Sequence, residues 1–93
     1  MLLGKISGKV TTTTFRFTVE GNAQKFDYVQ VMHSSYNNVL GQIIDIVTDK
    51  AGSIAICNVI GYPDKDGKVR QMRVTFDLGT EVVKADEKFI KKV

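Results

Sequence analysis

The sequence is poor in residues on which disulfide-rich proteins and many metal sites depend: in 93 residues it has one cysteine and one histidine. The single Cys57 excludes an internal disulfide, and its position inside the apolar run IAICNVI favours a small buried hydrophobic residue over a reactive thiol. The single His33 excludes multi-histidine metal sites and proton relays between imidazoles. We interpret His33, at the end of a strand, as a surface or hydrogen-bonded structural residue.

Long hydrophobic runs are also missing. No apolar run approaches the roughly 18 residues that a membrane-spanning helix needs. The N-terminus MLLGKISGKV is too short and too interrupted by glycine and lysine to act as a signal peptide. We therefore expect a cytoplasmic protein.

Neither sign of charge dominates. Thirteen Lys and Arg stand against ten Asp and Glu, which gives a net charge of +3 and only a mild attraction to polyanions. A composition of 43% apolar and 25% charged residues is ordinary for a folded domain. A chain of this length forms one domain that buries roughly 60 to 65% of its unfolded surface.

Alternation of apolar and polar residues predicts strands along most of the chain. The predicted strands cover residues 2–10, 15–19, 28–32, 39–47, 53–62 and 80–85. Only DEKFIKKV, which begins at Asp86, resembles a helical turn, because it has acidic residues first and lysines last. The prediction is an all-β fold, a small six-stranded closed β-barrel with a short C-terminal helical turn.

Two details of the strands remain open in the sequence. The run VLGQIIDIV changes its apolar parity near Ile43 and Ile44, which indicates either a strand covered on both faces or a β-bulge. Asp45 lies between Ile44 and Ile46, and we expect it to face outward rather than to form a buried carboxylate. In the first strand, glycines would let another backbone approach closely.

Chemistry-bearing motifs are scarce. The chain has no glycine-rich phosphate loop and no dinucleotide fingerprint, and its carboxylates are scattered in turns. We therefore expect no catalytic residue, no metal and no cofactor, and we predict that the chain is not an enzyme. A small enzyme would require a cofactor that the sequence does not reveal.

One basic loop stands out. Pro and Asp-Gly in PDKDGK account for a turn, but not for the cations that follow it. Cations, aromatic rings and methionine suit a protein interface about as well as a phosphate-binding surface, and a simply solvated loop is a third interpretation. The candidate partner-binding residues are Tyr62, Lys68, Arg70, Met72 and Arg73.

The segments LLGKISGKVTTTTFRFTVEG, DYVQV, VLGQIIDIV, NVIGYPDKDGKVRQMRVTFDLGTEVVKAD and EKFIKKV resemble, in this order, the N-terminal HAS-barrel domain of archaeal HerA-like DNA translocases. The resemblance covers nearly the whole chain. Its most specific part is VIGY followed by a charged turn, an arginine-rich stretch, Gly-x-x-V and Ala-Asp. It implies a barrel similar to those that crown the catalytic-ring subunits of rotary ATP synthases.

The resemblance also implies a function. In such hexameric translocases the barrel helps neighbouring subunits to assemble and docks the nuclease NurA, and the complex resects DNA ends during homologous recombination and repair. The resemblance stops at Val93, where the family's ATPase domain would begin, so we expect a single HAS-barrel domain over residues 1–93 without a motor. In this interpretation the three cations match the charge of a partner, while Tyr62 and Met72 supply buried area.

A rival hypothesis is a free-standing OB-like barrel that binds nucleic acid. It would use the same cations and would stack bases on Tyr28, Tyr36 or Phe76. Phe15 and Phe17, by contrast, share one face of a predicted strand and are expected in the core.

Overall fold

A computed structural model describes residues 2–93 of the chain. The elements are β1 (Leu2–Ile6), β2 (Thr14–Val19), β3 (Tyr28–His33), β4 (Asn37–Asp49), β5 (Gly52–Pro63), β6 (Val69–Arg70), β7 (Glu81–Lys84) and α1 (Glu87–Ile90). All six predicted strands are present, although β1 ends at Ile6 instead of Val10. The two-residue β6, which pairs with the end of β5, was not predicted.

Six antiparallel strands close into a barrel. Their order is β2-β1-β7-β3-β4-β5, and β2 also pairs with β5, which joins the two ends of the sheet. The predicted six-stranded closed β-barrel is thus confirmed. β6 lies outside this closed ring and pairs with Tyr62 and Pro63, the last two residues of β5.

The barrel interior is filled by alternate residues of each strand. Phe15 and Phe17 of β2 are fully buried, as expected, and so are Val29 and Val31 of β3, whereas Tyr28 of β3 points outward. Fully burying such a side chain contributes about 1.5 to 3 kcal/mol relative to leaving it exposed. The rest of the core cluster consists of Leu3, Ile6, Val39, Ile43, Ala55, Cys57, Met72, Phe76 and Val82.

Close strand packing requires glycine at Gly4 in β1. A Cβ there would lie 1.9 Å from the carbonyl oxygen of Thr18 and 2.7 Å from the ring of Phe17. The expectation that a glycine of the first strand admits another backbone is confirmed. Cys57 is also buried as predicted, and burial raises the pKa of its thiol from 9.0 to about 12.

The point near Ile43 and Ile44 where the apolar residues of β4 change their alternation is a β-bulge. The register with β5 shifts between Ile43 and Asp45, and Asp45 is exposed as expected. Past the bulge, β4 and β5 continue to their turn, and we call this stretch the arm; β2 still pairs with β5 as far as Ile54. β3 does not accompany them, because its pairing with β4 ends where Tyr28 faces Gln42.

A buried apolar side chain also lies on the outer face of the barrel. Leu40 faces outward, opposite Gln30, yet it is buried. Asp86 caps α1 by accepting a hydrogen bond from the amide of Lys88, and Phe89 of this helical turn is half-buried. Within residues 2–93, no helix is long and apolar enough to span a membrane.

Candidate partner-binding surface

An irregular segment, residues 71–78, crosses one end of the barrel, and we call it the strap. Its inward side chains are Met72 and Phe76, each only 4% exposed, and both belong to the core cluster. Phe76 meets Phe15 edge to face, with ring centroids 5.2 Å apart. Edge-to-face aromatic pairs add about 0.5 to 1.5 kcal/mol beyond burial, so the strap is anchored by packing although it lacks regular secondary structure.

His33 fastens the strap to the end of β3. Its Nε2 lies 3.0 Å from the carbonyl oxygens of both Val74 and Thr75, and the amide of Ser35 donates to its Nδ1 at 2.9 Å. Because Nδ1 accepts a hydrogen bond, Nε2 is the ring nitrogen that donates to the strap. Of the two interpretations from the sequence, the structure shows the hydrogen-bonded structural histidine.

A pair of stacked tyrosines supports the strap from outside. The rings of Tyr36 and Tyr62 are 4.5 Å apart and nearly parallel, and Tyr36 also packs against His33. The hydroxyl of Tyr36 accepts a hydrogen bond of 2.9 Å from the amide of Arg73. Tyr62 therefore has one face committed to Tyr36 instead of being free for a partner.

The basic loop beside the strap is organised by Asp64. Its Oδ1 accepts from the amides of Asp66 and Lys68, each at 2.9 Å, and its Oδ2 accepts from Nε of Arg70 at 2.7 Å. The hydrogen bond from Arg70, followed by that from the Lys68 amide, lowers the pKa of the Asp64 carboxyl below its ordinary value. Gly67 adopts a φ of 78°, as the Asp-Gly turn requires.

Four of the five predicted partner-binding residues come together. They line a cavity of about 500 Å³, which is bounded by Tyr62, Asp64, Arg70, Gln71, Met72 and Arg73. Lys68 is exposed and does not line this cavity.

The structure corrects the expected role of Met72, which packs into the core and so does not offer exposed area. Arg70 is paired with Asp64, while its side chain stays 58% exposed. Arg73 is exposed and forms no salt bridge with any residue in the range 2–93.

Sequence reasoning did not single out three exposed apolar side chains that lie within five residues of Arg73 along the chain. Val69, Val74 and Leu78 are 45%, 54% and 67% exposed. The only signal in the sequence was the alternation of apolar residues through MRVTFDL, and alternation alone does not separate inward from outward positions. We call Lys68, Val69, Arg73, Val74 and Leu78 the strap surface.

The aromatic residues of the nucleic-acid hypothesis do not form one platform. Phe76 is buried, so the expectation that it stacks on a base is wrong, and Tyr36 is half-buried with its ring against Tyr62. Tyr28 is exposed, but it lies at the opposite end of β3 from His33, about 17 Å away at the rise of a strand.

No family model matches this chain, and no curated protein is significantly similar to it. In the part of the chain that the structure describes, no group of three or more His, Cys, Asp or Glu side chains is placed to hold a metal ion.

Proposed function

We propose that this chain is a non-catalytic interaction domain that docks a folded protein partner through the strap surface. The observation that supports the proposal is the combination of the exposed Val74 and Leu78 with Arg73, which has no salt bridge within residues 2–93, on a segment anchored in the core. Arginine beside apolar side chains is enriched at protein interfaces, and anchored segments lose little conformational entropy on binding.

The partner should present a carboxylate beside an apolar depression. Arg73 has its backbone held by Tyr36, so its guanidinium extends from a fixed point. Val74 and Leu78 of the same segment add exposed apolar area, and the exposed Lys68 adds a further positive charge. Bidentate pairing of arginine with a carboxylate would fix the orientation of the complex.

The particular form that we propose follows from the sequence resemblance. The chain would be the HAS-barrel domain of a HerA-like hexameric DNA translocase in the cytoplasm. It would contribute to ring assembly and dock a NurA-like nuclease for DNA end resection in repair. The motor domain would supply ATP hydrolysis, and this domain would supply recognition.

The decisive experiment is light scattering after size exclusion, with this chain mixed with a NurA-like nuclease. We expect a complex of definite mass, and we expect Arg73→Glu to weaken it at least about tenfold, as for charge reversal at an interface centre. Arg16→Glu is the matched control, because Arg16 is an exposed arginine on the wall strand β2, outside the strap surface.

Equal weakening by both reversals would contradict a specific role for the strap surface and would indicate general charge attraction. Absence of a complex with the nuclease, together with binding of single-stranded DNA that falls steeply with salt, would replace the proposal by the nucleic-acid function.

A further inference from the structure

The other end of the barrel leaves one strand edge without a neighbour. Past Gln42, the last residue paired with β3, Ile43 still exchanges hydrogen bonds of 2.8 and 2.9 Å with Phe26 and Asp27. From residue 44 to residue 49, β4 pairs only with β5 as far as the described chain extends. This open edge, residues 44–49, is about 17 Å long at the rise of an antiparallel strand.

Backbone groups of the open edge point away from β5. The amide of Ile46 donates to the carboxylate of the preceding Asp45 at 2.9 Å, so it does not take part in the β4–β5 ladder. Because hydrogen-bonding direction alternates along an antiparallel strand, Thr48 presents its amide and carbonyl on the same side. Thr48 thus offers a donor and an acceptor to an added strand, and Ile46 offers its carbonyl, with its amide becoming a donor once Asp45 releases it.

The outward side chains of the open edge alternate acid, apolar, acid. Asp45, Val47 and Asp49 are all exposed, and Val47 is 51% exposed. Directly opposite Val47 on β5 lies Ile54, which is 40% exposed and widens the apolar strip. Neither Asp45 nor Asp49 forms a salt bridge with any other described residue.

We propose that the open edge binds an extended, basic segment of a partner protein by β-strand addition. Such a segment would hydrogen-bond to Ile46 and Thr48, and its side chains on the same face would alternate as Lys or Arg, an apolar residue, and Lys or Arg. The two cations would lie beside Asp45 and Asp49, and the apolar residue beside Val47 and Ile54. This site goes beyond the proposed function, since it uses none of the strap residues.

The negative charges of Asp45 and Asp49 favour a basic partner segment over a second copy of this chain at the open edge. Antiparallel pairing of two open edges would bring Asp45 and Asp49 of one copy close to those of the other, and like charges across strands destabilise pairing. The bulge before Asp45 and the carboxylate over the Ile46 amide also discourage indiscriminate pairing of this edge. A cation on the incoming strand would draw that carboxylate away and free the amide.

Peptide binding tests the proposal directly. The probe is the fluorescein-labelled peptide TKTVTKT, with TETVTET as its charge-reversed control, and binding to the full chain is followed by anisotropy at low salt. We expect the lysine peptide to bind and the glutamate peptide to bind at least about tenfold more weakly, given an exposed ion pair at each of two positions. Equal binding of the two peptides would overturn the proposal.

Protein variants locate the site. The double variant Asp45→Asn and Asp49→Asn keeps the acceptors for the Ile46 and Ala51 amides but removes both charges. It should bind the lysine peptide about tenfold more weakly than the unmodified chain. The matched control, Asp66→Asn with Asp77→Asn, removes two exposed charges elsewhere and should leave binding unchanged. Equal weakening by both pairs would contradict the assignment.

Amide NMR supplies a readout independent of charge. With the lysine peptide, the amides of Ile46 and Thr48 should shift and become protected from exchange, while strap amides stay unchanged. Shifts confined to the strap, or concentration-dependent self-association through residues 44–49, would overturn the proposal. Failure of the nuclease to bind the strap surface would leave this result unaffected, so the two proposals fail separately.

Discussion

The two ends of the barrel are built differently. At the strap end, an irregular segment is held by side chains: Phe76 in the core, His33 on two carbonyls and Tyr36 on an amide. At the arm end, β4 and β5 are held by a regular ladder but leave one edge open. Side-chain packing produces a surface of fixed shape, which suits a folded partner, whereas an open ladder offers repeated backbone groups, which suit an extended one.

Charge follows the same division. Between residues 68 and 78 the exposed cations Lys68, Arg70 and Arg73 outnumber the exposed Asp77, and between residues 44 and 50 the exposed Asp45 and Asp49 outnumber Lys50. A net charge of +3 conceals this separation. Two surfaces of opposite sign on one small barrel can therefore discriminate between partners that the total charge would not distinguish.

The largest expected effect is loss of the strap anchor. Phe76→Ala removes a buried ring that packs on Phe15 and should lower the free energy of unfolding by about 3 to 5 kcal/mol. Val47→Ala is the matched truncation on the arm, where the side chain is half exposed, and should cost less than about 1 kcal/mol. Urea unfolding measures both, and equal losses would mean that the two ends are not stabilised differently.

High pH should destabilise the barrel wall through Cys57. Its thiol has a pKa raised from 9.0 to about 12, so between these values the unfolded chain loses the proton that the folded chain keeps. Stability then falls as pH rises, by at most about 1.4 kcal/mol per pH unit from this group. We expect the free energy of unfolding of Cys57→Ala to fall less steeply with pH over this range than that of the unmodified chain. Parallel pH dependences of the two proteins would exclude a contribution from the thiol.

The rate at which the Cys57 thiol is alkylated shows through which end of the barrel a reagent reaches the core. Cys57 lies opposite Phe15 in the β2–β5 register, and Phe15 packs under Phe76. Alkylation by iodoacetamide should therefore be faster in Phe76→Ala than in the unmodified chain, but not in Val47→Ala. Faster alkylation in Val47→Ala alone would show that access to the core runs through the arm.

A smaller effect is expected from one hydroxyl on the strap side. Tyr36→Phe keeps the stack on Tyr62 but leaves the Arg73 amide without its acceptor, which should cost about 1 kcal/mol. Tyr28→Phe is the matched control, since the Tyr28 hydroxyl has no hydrogen-bond partner in the chain from residue 2 onward. Hydrogen exchange of strap amides should rise only in Tyr36→Phe, and an equal rise in both variants would refute the role of the hydroxyl.

The smallest effect concerns Asp64. Its pKa is lowered from 3.8, chiefly by the hydrogen bond from Arg70, so its stabilising contribution is complete above that value and is lost as pH falls through the lowered pKa. Asp64→Asn should be slightly less stable than the unmodified chain at neutral pH, and this difference should shrink on acidification. Asp45→Asn on the arm, which keeps its amide acceptor, should show a smaller difference at neutral pH. A difference that stays constant with pH would contradict the ionic origin.

Part of the candidate site was visible in the sequence. The Asp-Gly turn and the cluster of cations located the basic loop, because turn residues and charges act locally. The pairing of Arg70 with Asp64 was not visible, since it depends on the antiparallel return of β6 onto β5. The open edge was equally hidden, because it depends on where β3 stops pairing along β4.

Alternation along FRFTV and YVQVM determined the strands and their buried faces from the sequence alone, because the side-chain period of a strand is a local property. Only the tertiary structure decided which of the equally spaced residues Met72, Val74, Phe76 and Leu78 are buried. Met72 and Phe76 are buried, whereas Val74 and Leu78 are exposed. The strap has no ladder to impose a period, so each side chain turns inward only where Phe15 and the rest of the core provide contacts.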